Sequence, residues 1–316
     1  MKYVKAGHLE GGHTSGVAAL AFSPNGKQVA SAGLDSNLCI WNIADMRLIH
    51  NFRGASAILS LAWVPEEPGT LVCGSEDGSI SVVDTSADTL HARTFPRSHR
   101  FPVEHLAYKN GLLASGAHED VAIWSRGSDG RWTHLCDLDV PPVNSNNKDR
   151  DVLVTSLHWT RSPKHKSLLL VTYLYHGYIL VKAGVWSRVF TIPLNGLIGS
   201  ASVTPDGSRM IVSNMISGFD IYKTETGESS GTLTHPISKA FTVPVLFAHG
   251  GNAVIGGSPT GRVHLWDATA LRMHQVLQHA GTYLPPLLCA FLADTTKNLI
   301  GFLPSPHTMT MLVTVS

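Results

Sequence analysis

Residues 12–42, GHTSGVAALAFSPNGKQVASAGLDSNLCIWN, decide how the chain folds. A Gly-His pair at Gly12 and His13 leads into an apolar run from Val17 to Phe22. Pro24, Asn25 and Gly26 then supply a tight turn, because Asn-Gly tolerates the positive φ that such a turn needs. A second segment, KQVASAG, closes near Asp35, and a third, NLCIW, ends at Trp41. Three short apolar segments bounded by turn residues predict an antiparallel meander.

The ending of this stretch recurs. Trp41 has counterparts at Val83 in SISVVD, Trp124 in DVAIWS, Tyr222 in FDIYKT and Trp266 in VHLWDA. Neighbouring counterparts lie about 40–45 residues apart, and two such periods with about ten residues to spare separate Trp124 from Tyr222. The turn recurs independently: Phe22-Ser23-Pro24-Asn25-Gly26 matches Val203-Thr204-Pro205-Asp206-Gly207, about four periods further on.

With its Gly-His start and Trp41-Asn42 finish, the stretch resembles one repeat of the WD-repeat β-propeller family, whose repeats begin Gly-His and end Trp-Asp. The chain is similar in particular to stand-alone WD-repeat proteins of fungal type. The resemblance implies an all-β fold, a seven-bladed WD-repeat β-propeller forming one domain over residues 1–316. The blades are expected at about 11–53, 54–97, 98–139, 152–195, 196–240, 241–280, and 281–316 plus 1–10. The carboxy-terminal part offers three strands, LLCAFLAD, NLIGFLPS and MTMLVTV. The amino-terminal YVKAGHLE is expected to complete the last blade as its outer strand, sealing the ring and removing an open sheet edge. The polar stretch Pro141 to Asp151 reads as a long exposed loop.

Composition narrows the function classes. The chain carries 24 basic and 23 acidic residues, so nothing resembles the basic footprint of a nucleic-acid or anionic-membrane binder. Its 43% hydrophobic content is ample for a core. Cys39, Cys73, Cys136 and Cys289 have no ligand spacing and read as small core groups in a reduced compartment. Without a signal-peptide pattern or an Asn-x-Ser/Thr acceptor, the expected location is intracellular, cytoplasmic or nuclear. Ser167 to Trp186 is apolar enough to invite a membrane reading. His176, Gly177 and Lys182 interrupt it, so it reads as two strands joined at His176-Gly177.

His13, Ser31, Asp35 and Trp41 match the positions of the family's structural tetrad, in which the indole N–H reaches the Ser hydroxyl, the hydroxyl reaches the imidazole, and the acid orients the ring. Other blades keep it in part: Asp77 in the second, His99, Ser115 and Trp124 in the third with Glu119 or Asp120 as the acid, and Trp266 and Asp267 in the sixth. A catalytic reading of His13, Ser31 and Asp35 lacks a nucleophile elbow, and Ser31, within Val29-Ala30-Ser31-Ala32-Gly33, lies in no G-x-S-x-G. His158, His165, His176, His274 and His279 have uneven spacings and no HExxH, so neither a metal nor another cofactor is expected. Phe52-Arg53-Gly54 lacks the second Arg of the phosphoinositide-binding motif that it resembles. The family's partners dock on the rim where tetrad turns meet inter-blade loops. Carried over by position, that rim is Ser15, Leu34, Ala57, Glu76, Phe101 and Pro259. The expected function is a non-enzymatic scaffold binding proteins or peptides, a monomeric propeller working within a larger complex. The alternative is a propeller that takes a small ligand or glycan between its blades.

Overall fold

The computed structural model describes residues 2–86, 90–144, 147–235, 242–258, 260, 262–278, 289–293, 298–304 and 308–315; from residue 278 onward, and at Lys2, Lys5, Ala6 and His8, the description is of the backbone alone. Among these residues the chain is all-β apart from one short 3-10 turn, and its strands form seven four-stranded antiparallel sheets. β1 (Lys2–Glu10) opens the chain. Sheet one holds β2 (Val17–Phe22), β3 (Gln28–Gly33), β4 (Asn37–Asn42) and β5 (Arg47–Arg53). Sheet two holds β6 (Ile58–Trp63), β7 (Thr70–Ser75), β8 (Ile80–Asp84) and β9 (His91–Thr94). Sheet three holds β10 (His105–Lys109), β11 (Leu112–Ala117), β12 (Asp120–Arg126) and β13 (Trp132–Asp137).

Sheet four consists of β14 (Val154–Thr160), β15 (Leu168–Tyr173), β16 (Gly177–Lys182) and β17 (Ser187–Ile192). Sheet five consists of β18 (Ser200–Val203), β19 (Arg209–Ser213), β20 (Gly218–Lys223) and β21 (Ser229–Thr234). Sheet six consists of β22 (Val245–Ala248), β23 (Ala253–Gly257), β24 (Arg262–Asp267) and β25 (Arg272–Gln278). The terminal sheet takes β26 (Cys289–Ala293), β27 (Asn298–Pro304) and β28 (Thr308–Val315), with β1 on the outer side of β28. Lys2 pairs with Val315 and Glu10 with Thr308, so the amino-terminal strand joins the carboxy-terminal hairpin. Two compact units divide the chain: Met1–Leu138 with Cys289–Ser316, and Asp139–Leu288.

Within each unit, neighbouring sheets bury apolar faces against one another. Leu38, Ile40, Ile58 and Leu71 fill the space between sheets one and two, and Val72, Val103, Leu113 and Trp124 that between two and three. In the other unit Leu170, Leu180, Met210 and Val212 join sheets four and five. The second strand of a sheet is covered on both faces, so β7 and β15 are buried at every residue and read as continuous apolar runs. Hence the apolar stretch Ser167–Trp186 is two paired strands, with Tyr173 opposite Gly177. Among the described residues no helix is long and apolar enough to cross a membrane.

Hydrogen bonds between residues 42–46 positions apart stitch sheet one to two, two to three, four to five and five to six. Trp63 Nε1 donates to the Ala21 carbonyl at 3.0 Å and Ser60 Oγ to that of Val103 at 2.7 Å. In the other unit Tyr178 Oη donates to the Thr224 carbonyl at 2.8 Å. A second periodic feature lies within the sheets. The pairing of third and fourth strands slips by one residue at Ile40/Trp41, Ile123/Trp124, Leu180/Val181, Ile221/Tyr222 and Leu265/Trp266. Such a bulge sharpens local twist, and it sits at the recurring anchor each time. It also places the fourth-sheet anchor at Val181, which carries no Trp or Tyr to mark it.

Candidate functional site

In sheet one, Gly12-His13 ends the loop from β1 and brings the imidazole over β3. His13 Nδ1 lies 3.1 Å from Asp35 Oδ1, His13 Nε2 2.8 Å from Ser31 Oγ, and Trp41 Nε1 2.8 Å from the same hydroxyl. The carboxylate fixes the proton on Nδ1, which leaves Nε2 to accept from Ser31, while Ser31 accepts from Trp41. Every member is thereby satisfied. Asp35 also accepts from the Thr14 N–H at 2.7 Å and the Asn37 N–H at 3.1 Å. Burial alone would raise its carboxyl; the bonds from Thr14, His13 and Asn37 outweigh that and hold it below the ordinary carboxylate range. Ser31 is fully buried, so the His13–Ser31–Asp35 array has no approach for a substrate.

Sheet three repeats only part of this chain. His99 Nε2 is 2.7 Å from Ser115 Oγ, which accepts from Trp124 Nε1 at 2.8 Å. Neither Glu119 nor Asp120 hydrogen-bonds the imidazole among the described residues, which corrects the expected acid. The reason is turn length: three residues, 34–36, link β3 to β4, whereas His118 and Glu119 alone link β11 to β12, with His118 at φ 56. Burial then depresses the His99 pKa, and the more distant Asp120 and Asp137 offset this incompletely. In sheet two, Asp77 is exposed and caps its own turn, accepting from Ser79 N and Oγ at 3.0 and 2.6 Å.

Sheet six replaces the polar chain with rings. Gly256 occupies the Ser position, and a Cβ there would come within 2.3 Å of the Phe219 ring of sheet five. Trp266 meets Phe219 edge-on at 5.3 Å, and the buried His235 and His264 stack at 4.9 Å beside it. Asp267 serves its turn, accepting from Thr269 and Ala270 N–H groups at 2.8 and 2.7 Å. The His235–His264 stack has no signature in the sequence, since His235 follows the last strand of sheet five and His264 lies in the third strand of sheet six.

This arrangement makes the second unit acid-sensitive. Burial foremost, then His235 and Arg262, lowers the His264 pKa to about 4; burial does the same to His158, partly countered by its bond to the Ala201 carbonyl. Both rings stay neutral in the fold while an unfolded chain protonates near pH 6.5. The unfolded state therefore binds more protons between pH 6.5 and 4, and stability falls as pH drops through that window. Unfolding free energies from urea titrations at pH 7 and pH 5 should differ by about 1–2 kcal/mol after allowing for solvent screening, and His264→Gln should reduce the difference.

The expected rim residues separate. Leu34 is 54% exposed on the β3–β4 turn, Glu76 is exposed on the β7–β8 turn and Ser15 is half-buried. Ala57 is a correction: its side chain is buried, and its carbonyl accepts the Glu76 N–H at 2.9 Å. Phe101 is half-buried, stacked on His118 at 4.5 Å with the Arg100 guanidinium over its ring. Pro259 and His279 lie outside the described residues. Among the described residues no group of three or more His, Cys, Asp or Glu is placed to hold a metal ion.

Sheets of this topology, stitched at one repeat period and, in sheet one, pinned by an indole–hydroxyl–imidazole–carboxylate chain, are similar to the blades of WD-repeat β-propellers. Residues 6–42 and 46–84 match the family model of the WD domain, G-beta repeat. Each matched repeat begins on the outer strand of one sheet and ends on the third strand of the next. Among similar proteins, WD repeat-containing protein 90 from Mus musculus is 29% identical over 123 residues, which is 34% of this chain and 6% of that protein. Telomerase protein component 1 from Rattus norvegicus is 21% identical over 266 residues, 81% of this chain and 10% of the relative. The U3 small nucleolar RNA-associated protein 15 homolog from Xenopus tropicalis is 25% identical over 150 residues, 48% of this chain and 25% of the relative. The chain thus spans a quarter or less of the length of each of these relatives.

Proposed function

We propose that the chain is a non-enzymatic scaffold that binds proteins or peptides within a larger assembly. The reading includes a single domain, 1–316, whose blades close as a seven-membered ring. The observation that carries it is Leu34. This exposed apolar side chain sits on a turn pinned by Asp35, by Asn37 and by the Leu34 N–H bond to the Gly16 carbonyl at 2.8 Å. An apolar anchor that is already ordered loses little entropy on binding, which is what an interface hot spot requires. The near-balance of basic and acidic residues supports a protein partner over nucleic acid. A nuclear location is favoured by the relative whose name ties it to small nucleolar RNA.

The test is affinity capture from the native cell with the wild type and with Leu34→Asp/Glu76→Lys. The double variant should melt within about 2 °C of the wild type, since both residues are exposed, and should lose partners that the wild type retains. A wild type that repeatedly captures nothing, while turning over a substrate, would overturn the scaffold reading. A second reading, a small ligand or glycan held between sheets, has one observation in its favour. A cavity of about 610 Å³ opens between sheets two and three. A thermal-shift ligand screen separates the two.

A further inference from the structure

We propose that the end of sheet four formed by its β14–β15 and β16–β17 loops docks onto an anionic phospholipid bilayer, through cations set around an apolar tip. The proposal goes beyond the scaffold reading and is independent of it, since it concerns where the protein is held rather than what it holds.

The two loops leave the same edge of the sheet. Thr160 pairs with Leu168, Leu168 with Lys182 and Lys182 with Ser187, which sets residues 161–167 beside residues 183–186. The Ala183 N–H donates to the Ser167 carbonyl at 3.2 Å and joins the loops. Ser162 and His165 exchange backbone bonds at 2.8 and 3.1 Å, which orders the longer one.

Summed over the chain the charges nearly cancel, and the sum hides where they lie. From Val152 to Pro205 there is no Asp or Glu, while Arg161, Lys164, Lys166, Lys182 and Arg188 all fall there. Arg188 is committed, donating to the Val140 carbonyl at 2.8 Å. Arg161, Lys164, Lys166 and Lys182 are exposed, and their side chains have no hydrogen bond or ion pair among the described residues. The flanking acids are turned elsewhere or occupied. Asp151 precedes the opposite end of β14, where Val154 pairs with Tyr173. Asp206 belongs to the sheet-five turn that backs onto the Arg161 carbonyl, and it accepts from Thr204 Oγ1 at 2.6 Å and the Ser208 N–H at 3.1 Å. Glu225 and Glu228 belong to a turn that packs on Tyr178 and Ile192, which pair at the far end of sheet four.

The apolar tip is specific to this sheet. Trp186 takes φ 52, and its N–H donates to the Lys182 carbonyl at 2.9 Å. Met46 and Leu271 take a similar φ in the corresponding turns of sheets one and six, so the backbone belongs to the repeat. The side chains do not. The residue before is Asp45 in sheet one and Ala270 in sheet six, but Val185, 63% exposed, in sheet four. A Cβ on Gly184 would have nothing within 4 Å, so the turn stands clear of the body. Behind it the half-buried Trp186 meets Trp159 edge-on at 6.3 Å.

A convex tip with an apolar residue at its apex, an indole behind and cations around fits a flat surface that is anionic outside and apolar within. A peptide would need a groove. A nucleic-acid strand offers phosphates but no apolar layer for Val185 to enter. Each basic residue near an anionic leaflet strengthens partitioning by roughly fivefold, and a shallow apolar contact supplies the second signal that stable attachment needs. Within sheet four no acid opposes the approach.

The test is flotation of the full chain with vesicles of phosphatidylcholine alone and of phosphatidylcholine mixed with phosphatidylserine. It compares the wild type, Lys164→Glu/Lys166→Glu and Val185→Ser with Arg47→Glu/Arg272→Glu, a control that changes net charge equally at exposed sites on β5 and β25. The wild type and control should bind only the phosphatidylserine vesicles, and less at higher salt. The lysine variant should lose at least about tenfold in partitioning, and Val185→Ser about threefold. All three substituted sites are exposed, so each variant should melt with the wild type. Equal binding by the lysine variant, an equal loss in the control, or equal binding to phosphatidylcholine alone overturns the proposal. Brominated-chain phosphatidylcholine in the mixed vesicles should quench wild-type tryptophan fluorescence, and Trp186→Phe should remove most of that quenching; quenching that persists places the contact elsewhere and overturns it. Binding of fluorescein-labelled oligouridylate or polyglutamate that depends on Lys164 and Lys166, with no binding to vesicles, assigns the surface to nucleic acid or to an acidic protein and overturns it too.

Discussion

Trp41→Ala lowers the free energy of unfolding by about 3–5 kcal/mol, the largest expected loss from one side chain in sheet one. The indole is buried and packs with Leu9, Phe22, Val29 and Cys39, so truncation opens a cavity at the junction of β1 and sheet one. The backbone there already fits closely: a Cβ on Gly12 would lie 2.4 Å from the ring. Removal also leaves the Ser31 hydroxyl without its donor. Trp41→Phe separates the two contributions by keeping most of the ring while losing the N–H; about 1–3 kcal/mol should remain. A urea midpoint unchanged by Trp41→Ala would mean that the chain from His13 to Trp41 does not hold the sheet.

Gly78→Ala should cost about 2–4 kcal/mol, although it adds a single methyl group. Gly78 has φ +83, and a Cβ there would come within 2.2 Å of the His99 carbonyl oxygen. That oxygen is backbone and cannot rotate away. The Gly78 carbonyl in turn accepts the His99 N–H at 2.8 Å, so strain at the β7–β8 turn passes to the loop that positions the His99 ring over Ser115. Gly11→Ala is the matched control. Its φ is +82 with nothing within 4 Å, so only the conformational part, about 1–2 kcal/mol, should appear. Equal losses for the two variants would show that the contact with His99 contributes nothing.

The repeat was legible because its markers are local. The turn at Pro24-Asn25-Gly26 has its echo at Pro205-Asp206-Gly207, and both have glycine at positive φ and a side-chain cap, from Ser23 to Asn25 and from Thr204 to Asp206. The sheet-one tetrad was legible for the same reason, since its members lie at fixed distances along one repeat. What could not be read depends on contacts between repeats. Nothing near Gly256 shows that Phe219 fills its missing side chain, and nothing near His264 announces His235. The acid expected in sheet three failed on one residue of turn length, and Ala57 failed because a loop position does not reveal which way its side chain faces. The fourth-sheet anchor, Val181, was hidden because a bulge is a property of backbone pairing and leaves no required residue type.

The pairing of β1 with β28 carries a consequence for synthesis. At about 5–20 residues per second, the ribosome releases β1 on the order of tens of seconds before its partner strand exists. Throughout that interval Lys2–Glu10 is a strand with no ladder to join, although Leu9 already has Trp41 and Phe22 to pack against. The apolar residue that docks early therefore acts as a tether, keeping an otherwise adhesive ribbon at its future berth until the last hairpin emerges. Weakening that tether should show first as aggregation of nascent chains, before any defect is visible in the finished molecule.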